Sequence, residues 1–180
     1  KLEAANARLD RLARTDPLSG LPNRLAFFEL APRELERARR YGRPLALAIL
    51  DLDHFKAIND RHGHNVGDIA LKHFAKTVKK LLRPSDLFAR IGGEEFAILL
   101  PETEPSNATQ LLDRILKSVV GTPFRHLDEE IALSFSAGVT GHYEGAITDE
   151  LIKHADVALY RCKEQGRACV SLNLVTNLTT

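Results

Sequence analysis

The sequence predicts an α+β fold, a central and mostly antiparallel sheet wrapped by helices, and three observations carry that reading. Leu45-Ala46-Leu47-Ala48-Ile49-Leu50 is an unbroken apolar run, the composition of a strand buried on both faces. Gly92-Gly93 divides two further apolar runs, Leu87 to Ile91 and Phe96 to Leu100. A glycine pair between strand-like runs marks a tight hairpin, and a hairpin forces antiparallel pairing. Segments with helical spacing alternate with these strands, and alternation combined with a hairpin argues against a doubly wound parallel sheet. At 180 residues the chain is long enough to bury a core as one domain.

The elements follow in order. Leu2, Ala5, Leu9 and Leu12 fall at alternating three- and four-residue steps. Residues 1–14 therefore read as a helical linker or coiled-coil stub, although a frayed amphipathic helix fits two heptads equally well. The first residue is Lys rather than Met, so the sequence reads as part of a longer chain. Arg24 to Arg40 is expected to be helical with Leu25, Phe28, Leu35 and Ala38 on one face, and Pro32 predicts a kink or a fresh start near Ala31. Val66 to Leu82 is the clearest helix, repeating Leu71, Phe74, Val78 and Leu81.

In the hairpin, the glycines are expected to supply positive φ. Ser106 reads as the N-cap of a helix through Val120, packed by Leu112, Ile115, Leu116 and Val119. Ile131 to Thr140 is expected to be one strand, with Gly138 marking a bulge or a close approach. Thr148 reads as the cap of a last helix stopping at Gly166, and Ala168 to Val170 as a final strand. Residues 171–180 are left as a tail.

Composition excludes several functions. A net charge of +1 gives no bulk attraction to nucleic acid or membrane. No apolar stretch approaches the roughly 20 residues of a membrane helix and no signal peptide is visible, so the expected location is cytoplasmic, with any anchor in missing N-terminal segments. The sequons at Asn107 and Asn177 then carry no meaning. Cys162 and Cys169 read as reduced, partly buried residues rather than a bridge. His62-Gly63-His64 lacks the further ligands that a zinc site needs.

Two acidic sites carry the chemistry. Asp51-Leu52-Asp53 ends the buried run, where a carboxylate is costly unless solvated, paired or metal-bound. Glu94 and Glu95 sit at the hairpin tip beside two glycines that leave the backbone open to a phosphate. Taken alone, such a tip is an ordinary solvated turn. If the two sites adjoin, Asp51 and Glu94 can share a divalent cation, and magnesium suits them because it takes few protein carboxylates and fills its shell with water and phosphate oxygens.

The chain resembles the GGDEF family of diguanylate cyclases, in the variant whose turn reads GGEEF. The likeness runs from Asp16 to about Val170. It rests on Asp16-Pro17-Leu18-Ser19-Gly20-Leu21-Pro22-Asn23-Arg24, on Asp51-Leu52-Asp53-His54-Phe55-Lys56-Ala57-Ile58-Asn59-Asp60, on Gly63-His64 with Gly67-Asp68, and on the Gly92-Gly93-Glu94-Glu95-Phe96 turn. Ala155-Asp156-Val157-Ala158-Leu159-Tyr160 with Lys163 and Gly166-Arg167 completes it.

The resemblance implies a catalytic domain over residues 15–170 with a core like the palm of polymerases and class III cyclases. The implied reaction condenses two GTP into cyclic di-GMP and two pyrophosphates, each 3′-hydroxyl attacking the other α-phosphorus. It further implies two Mg2+ ions per site, with Mn2+ as a substitute, held by Asp51, the Leu52 carbonyl and Glu94. Asp53 is expected to point away from Asp51 and is not counted as a ligand. Glu94, Glu95 and Lys56 are the implied catalytic groups, with the choice of base left open between the glutamates and water. Gly92, Gly93, Lys163 and Arg167 match phosphate-holding positions, and Asn59, His64 and Asp68 match nucleotide-contacting ones. Implied partners are a second copy of the chain and an upstream sensor or receiver domain, with no nucleic acid.

Arg83-Pro84-Ser85-Asp86 resembles the family's RxxD inhibitory site for cyclic di-GMP, five residues before the first glycine of the turn, with Arg114 as a secondary contact. An i,i+3 salt bridge is the plain alternative. Two other functions compete with the active cyclase: a non-catalytic module sensing GTP or cyclic di-GMP, and a different palm-type cyclase or polymerase fragment. Members of the first kind usually lose a metal carboxylate, a glycine or the second acid of the turn, and none is lost here.

Overall fold

The computed structural model describes residues 12–175. Leu2, Ala5 and Leu9 of the expected seam lie outside that range; Leu12 lies within it and is exposed. The element order is α1 (Arg24–Tyr41), β1 (Leu45–Leu52), α2 (Phe55–His62), α3 (His64–Lys79), β2 (Leu87–Arg90), β3 (Glu95–Pro101), α4 (Pro105–Val120), β4 (Phe124–His126), β5 (Glu129–Ile131), β6 (Phe135–Gly141), α5 (Thr148–Glu164) and β7 (Val170–Leu172).

The central sheet has the order β2-β3-β1-β6-β7. All neighbours are antiparallel except β6 and β7, which run parallel. Strand β1 lies in the middle and all eight of its residues are buried. Side chains alternate across a strand, so β1 feeds two cores. Ala46, Ala48, Leu50 and Leu52 pack with Phe74, Val78, Leu112 and Ile115 of α3 and α4. Leu45, Leu47 and Ile49 pack with Phe27, Leu35, Leu151 and Leu159 of α1 and α5. A separate two-stranded ribbon pairs β4 with β5.

Several expectations change in detail. Helix α1 runs unbroken through Pro32, and its buried face is Ala26, Phe27, Ala31, Leu35 and Ala38; Leu25 points to solvent. Its N-cap is Asn23, whose Oδ1 accepts from the Ala26 N–H at 3.0 Å. The expected helix at Val66 begins earlier, at His64, and ends at Lys79, leaving Leu81 exposed. A short helix, α2, precedes it; eight residues with one buried side chain give too weak a period to read.

Neither Gly92 nor Gly93 has positive φ, so their role in the hairpin is spatial rather than conformational. Glu104 and Pro105 start α4 instead of Ser106, with proline at a first-turn position where its missing N–H costs nothing. Ile147 precedes α5, its N–H reaching Glu150 Oε2 at 3.4 Å, so Thr148 is the first helical residue rather than the cap. The single strand expected over 131–140 is two, because Ile131 belongs to the ribbon while Phe135 enters the main sheet. The final strand runs to Leu172, two residues into the expected tail.

Cys162 and Cys169 form a disulfide, contrary to the reduced state expected from sequence. Arg167 and Ala168, both with positive φ, fold the chain back after α5 and bring the two Cα atoms to 5.7 Å, within bridging range.

Gly138 is a close approach, as its place in the sequence suggested. A Cβ there would lie 1.9 Å from the Ala155 carbonyl oxygen and 2.3 Å from the Leu159 nitrogen. Those are backbone atoms and cannot swing aside, so α5 rests directly on β6. Gly138→Ala should therefore cost at least about 3 kcal/mol, at the upper end for overpacking. Urea denaturation measures this, and a loss below about 1 kcal/mol would contradict the contact.

Candidate active site

The site grows from the last residues of β1. The alternation that divides the two cores puts Asp51 on the α5 face. Lys163 Nζ of α5 lies 2.9 Å from Asp51 Oδ2 there. Across the sheet Asp51 is in register with Glu95, and the Leu52 N–H donates to the Glu94 carbonyl at 3.2 Å. The strand-end acid and the hairpin acids, far apart in sequence, are thus neighbours.

Charge is crowded at this junction. Loss of hydration and the adjacent Asp51 carboxylate push the Glu94 carboxyl above its ordinary value; Glu95 adds to this and Lys163 opposes it. Asp156 of α5 is a member that sequence reading left unassigned. Its carboxyl is also raised, first by loss of hydration and then by Glu95, against the pull of Lys163. The available signal was its position about two turns ahead of Lys163 on one face of the helix.

Among the described residues no three His, Cys, Asp or Glu side chains form a ready-made metal cage. Magnesium needs only one or two protein carboxylates, and Asp51 with Glu94 fits it. The Asp51 carboxylate is one of the groups that push Glu94 up, and a divalent cation relieves that repulsion.

Asp53 does not point away from Asp51. Its Oδ1 accepts from the Ser136 hydroxyl at 2.7 Å, and Ser136 is the residue in register with Asp51 on β6. Its Oδ2 accepts from the Ser134 hydroxyl at 2.8 Å and the Ala168 N–H at 3.0 Å. With three protein donors on it, this carboxylate anchors the α5–β7 loop.

Open space surrounds the position a Cβ would take on Gly93. On Gly92 a Cβ would strike Glu95 Oε2 at 2.4 Å, so that glycine makes room for the Glu95 side chain. Arg90 holds the tip from below. Its Nη2 and Nε donate to the Gly93 carbonyl at 2.7 and 3.1 Å, while Nη1 lies 3.2 Å from both oxygens of Asp16. Asp16 Oδ2 also accepts from the Ser19 N–H and hydroxyl at 2.7 and 2.6 Å. Burial opposes ionisation of Asp16, but the Ser19 hydrogen bonds and the Arg90 guanidinium outweigh it and hold the carboxyl below its usual value. Sequence reading missed Arg90, which carries no signal apart from its place before the turn.

The nucleotide-reading candidates sit on the next two helices. Asn59 is half-buried on α2, and Asp68 is exposed on α3 immediately after the buried Gly67. Lys56, His64 and Arg167 are exposed and, among the described residues, form no hydrogen bond or ion pair through their side chains with the acid cluster.

A second cluster lies before β2. Arg83, Asp86 and Arg114 line one cavity of about 310 Å3 with Asn107 and Gln110. The contact within the tetrapeptide is not the salt bridge of the plain alternative. The Arg83 backbone N–H donates to Asp86 Oδ2 at 2.8 Å, and the Asp86 N–H returns to the Arg83 carbonyl at 3.0 Å. Asp86 Oδ1 is buried without a hydrogen-bond partner.

A mostly antiparallel sheet covered by helices on both faces, with strand-end acids beside a glycine hairpin, defines a palm-like domain of the cyclase type. Residues 13–169 match the family described as "Diguanylate cyclase, GGDEF domain", and the chain belongs to that family. Diguanylate cyclase DgcP of Pseudomonas aeruginosa is 45% identical over 155 residues, covering 86% of this chain but 23% of that protein. The chain therefore spans about a quarter of that relative's length. The coiled coil and GGDEF domain of DgcB from Caulobacter crescentus, solved with c-di-GMP, superposes with a TM-score of 0.90 at 31% identity, covering 95% of this chain and 91% of that one. The active GGEEF domain of a diguanylate cyclase from Vibrio cholerae gives a TM-score of 0.79 at 30% identity, covering 86% and 98%.

Arg90→Ala removes the charge-assisted bonds on Gly93 and should destabilise the hairpin by roughly 1.5–3 kcal/mol. Hydrogen exchange at the Gly92 and Gly93 amides should quicken, and unchanged protection would contradict the clamp. Because Asp16 has a lowered pKa, its contribution is complete above the unfolded value near 3.9 and fades as pH falls towards the folded one.

Proposed function

We propose that this domain condenses two GTP molecules into cyclic di-GMP, releasing two pyrophosphates. The observation that carries the reading is the convergence of Asp51, Glu94 and Lys163 beside the open Gly93 tip. Membership of the GGDEF family and likeness to relatives named as diguanylate cyclases support it.

Asp51, the Leu52 carbonyl and Glu94 would hold Mg2+, two ions per site with Mn2+ as a substitute, supplying charge neutralisation at the attacked phosphate and a lowered pKa for the attacking hydroxyl. The Gly92-Gly93 backbone lets the triphosphate come close. Lys56, Lys163 and Arg167 balance its charge, Lys163 starting from its ion pair with Asp51. Glu94 or Glu95 takes the 3′-hydroxyl proton. Asn59 pairs with guanine N3 and the exocyclic amine, with His64 alongside. Asp68 accepts from N1–H and that amine, a donor pair adenine lacks.

Each chain supplies one acid cluster and holds one GTP. Product formation then requires two copies facing each other across a two-fold axis. An upstream sensor or receiver domain would control that encounter through the helical stub at residues 1–14. The reaction places the domain on the cytoplasmic side of the membrane, where GTP is found.

Asp51→Asn and Glu94→Gln should each abolish magnesium-dependent formation of cyclic di-GMP, read by product chromatography, while circular dichroism shows the fold retained. Turnover surviving in either variant would sink the ligand assignment. GTP binding without turnover in the unmodified domain would point instead to a sensing module.

Cyclic di-GMP would bind the second cavity as a feedback inhibitor. Asp86 Oδ1 lacks a donor there, and Arg83 and Arg114 supply positive charge for phosphate. Arg83→Ala should weaken inhibition roughly tenfold to hundredfold, the loss of one charge-assisted contact, and leave the initial rate nearly unchanged. Inhibition curves that superimpose for the two proteins would place the inhibition at the active site.

A further inference from the structure

We propose that Gly67 is a positioning residue for base recognition: its missing side chain is the space in which the Asn59 amide lies. The inference rests on the guanine-reading role proposed for Asn59. A Cβ on Gly67 would lie 1.9 Å from Asn59 Oδ1, 2.9 Å from Asn59 Cγ and 3.2 Å from Phe55 Cζ. The first two distances are far inside van der Waals contact, so the amide and a Cβ cannot coexist.

Backbone conformation does not call for glycine here. Gly67 is absent from the positive-φ glycines and sits within α3, where glycine is a destabilising choice against alanine. The demand is therefore for space. It arises because α2 and α3 are joined through Gly63 alone, whose φ of 86° turns the chain sharply and lays the helices side by side. The Gly63 N–H donates to the Asn59 carbonyl at 2.8 Å, fixing the Asn59 backbone at this corner.

An added methyl group must displace something, and the surroundings select what moves. Phe55, Val66 and Ala70 anchor the two helices in the core, so the helices resist separation. The Phe55 ring needs to yield only a few tenths of an ångström. The Asn59 amide is the end of a short side chain on a half-buried residue, and rotation of its χ angles relieves the overlap. Gly67→Ala therefore turns the amide away from the base edge while leaving the fold in place. A misplacement of about 1 Å at a recognition group can cost on the order of a hundredfold.

The test is a double-mutant cycle read by isothermal titration in Mg2+. The probes are guanosine α,β-methylene triphosphate, which cannot be cyclised, and its inosine counterpart, which lacks the exocyclic amine. The parent domain should prefer the guanosine probe. Gly67→Ala should lose at least about tenfold in guanosine affinity and flatten the preference, as Asn59→Ala does. In the Asn59→Ala background, adding Gly67→Ala should cost nothing more. Losses that multiply in the double variant, or unchanged preference in Gly67→Ala, would overturn the inference.

Melting temperatures complete the cycle. If Gly67→Ala is unstable and Asn59→Ala/Gly67→Ala is restored, the space belongs to Asn59; equal instability in both assigns it to Phe55 and refutes the proposal. If the parent domain binds neither probe, the nucleotide reading itself fails, and the melting cycle still decides whether Gly67 makes room for Asn59.

Discussion

Strand β1 is buried from Leu45 to Leu52, and its register against β3 and β6 is the constraint on which the other features depend. A strand buried on both faces has no tolerance for slippage, because a shift of one residue exchanges its two faces. Leu50 and Leu52 would then leave the α3–α4 core, and Asp51 would enter it. The apolar faces thus hold the acids in place: as long as Ala46 to Leu52 fit one core and Leu45 to Ile49 the other, Asp51 must emerge towards α5 opposite Glu95. The direct seating of α5 on Gly138 brings Lys163 to the same spot.

The acid cluster is the opposite of an optimised fold interior. Asp51, Glu94, Glu95 and Asp156 crowd one edge with Lys163 as the counter-charge in contact with Asp51. Folding alone would favour fewer like charges there, and the raised carboxyls of Glu94 and Asp156 record the cost. Such unresolved repulsion suits a site completed by cations and phosphates. Asp53 shows the contrast: two residues further along, a carboxylate with three protein donors is settled and serves the architecture.

Strand β2 joins the two polar clusters. Five residues, Leu87 to Ile91, separate the Arg83–Asp86 turn from the GGEEF turn, and the first four of them, Leu87–Arg90, form the strand. One end carries the cavity with the unpartnered Asp86 oxygen, and the other carries the Arg90 clamp on Gly93 and Asp16. Through Asp16 the clamp also reaches the segment before α1. Strand β2 thus spans the distance between that cavity and the hairpin tip.

Local sequence was enough to give the α+β class, the buried strand leading into Asp51 and the hairpin at Gly92-Gly93, and it marked Gly138 as a bulge or a close approach. Each is written in local chemistry: apolar runs, glycine pairs, and a glycine within a strand. The family motifs also made most candidate site residues legible. Tertiary structure alone decided the rest. It turned Leu25 outward, carried α1 through Pro32, split 131–140 between two sheets, and joined Cys162 to Cys169. It placed Asp53 on the same side as Asp51, bound to Ser136. It also recruited Asp156, Arg90 and the space above Gly67, whose importance lies in what packs against them. Periodicity along a chain reports which face of an element is apolar. Which partner meets that face is fixed by contacts between residues far apart in sequence, and local pattern holds no record of those.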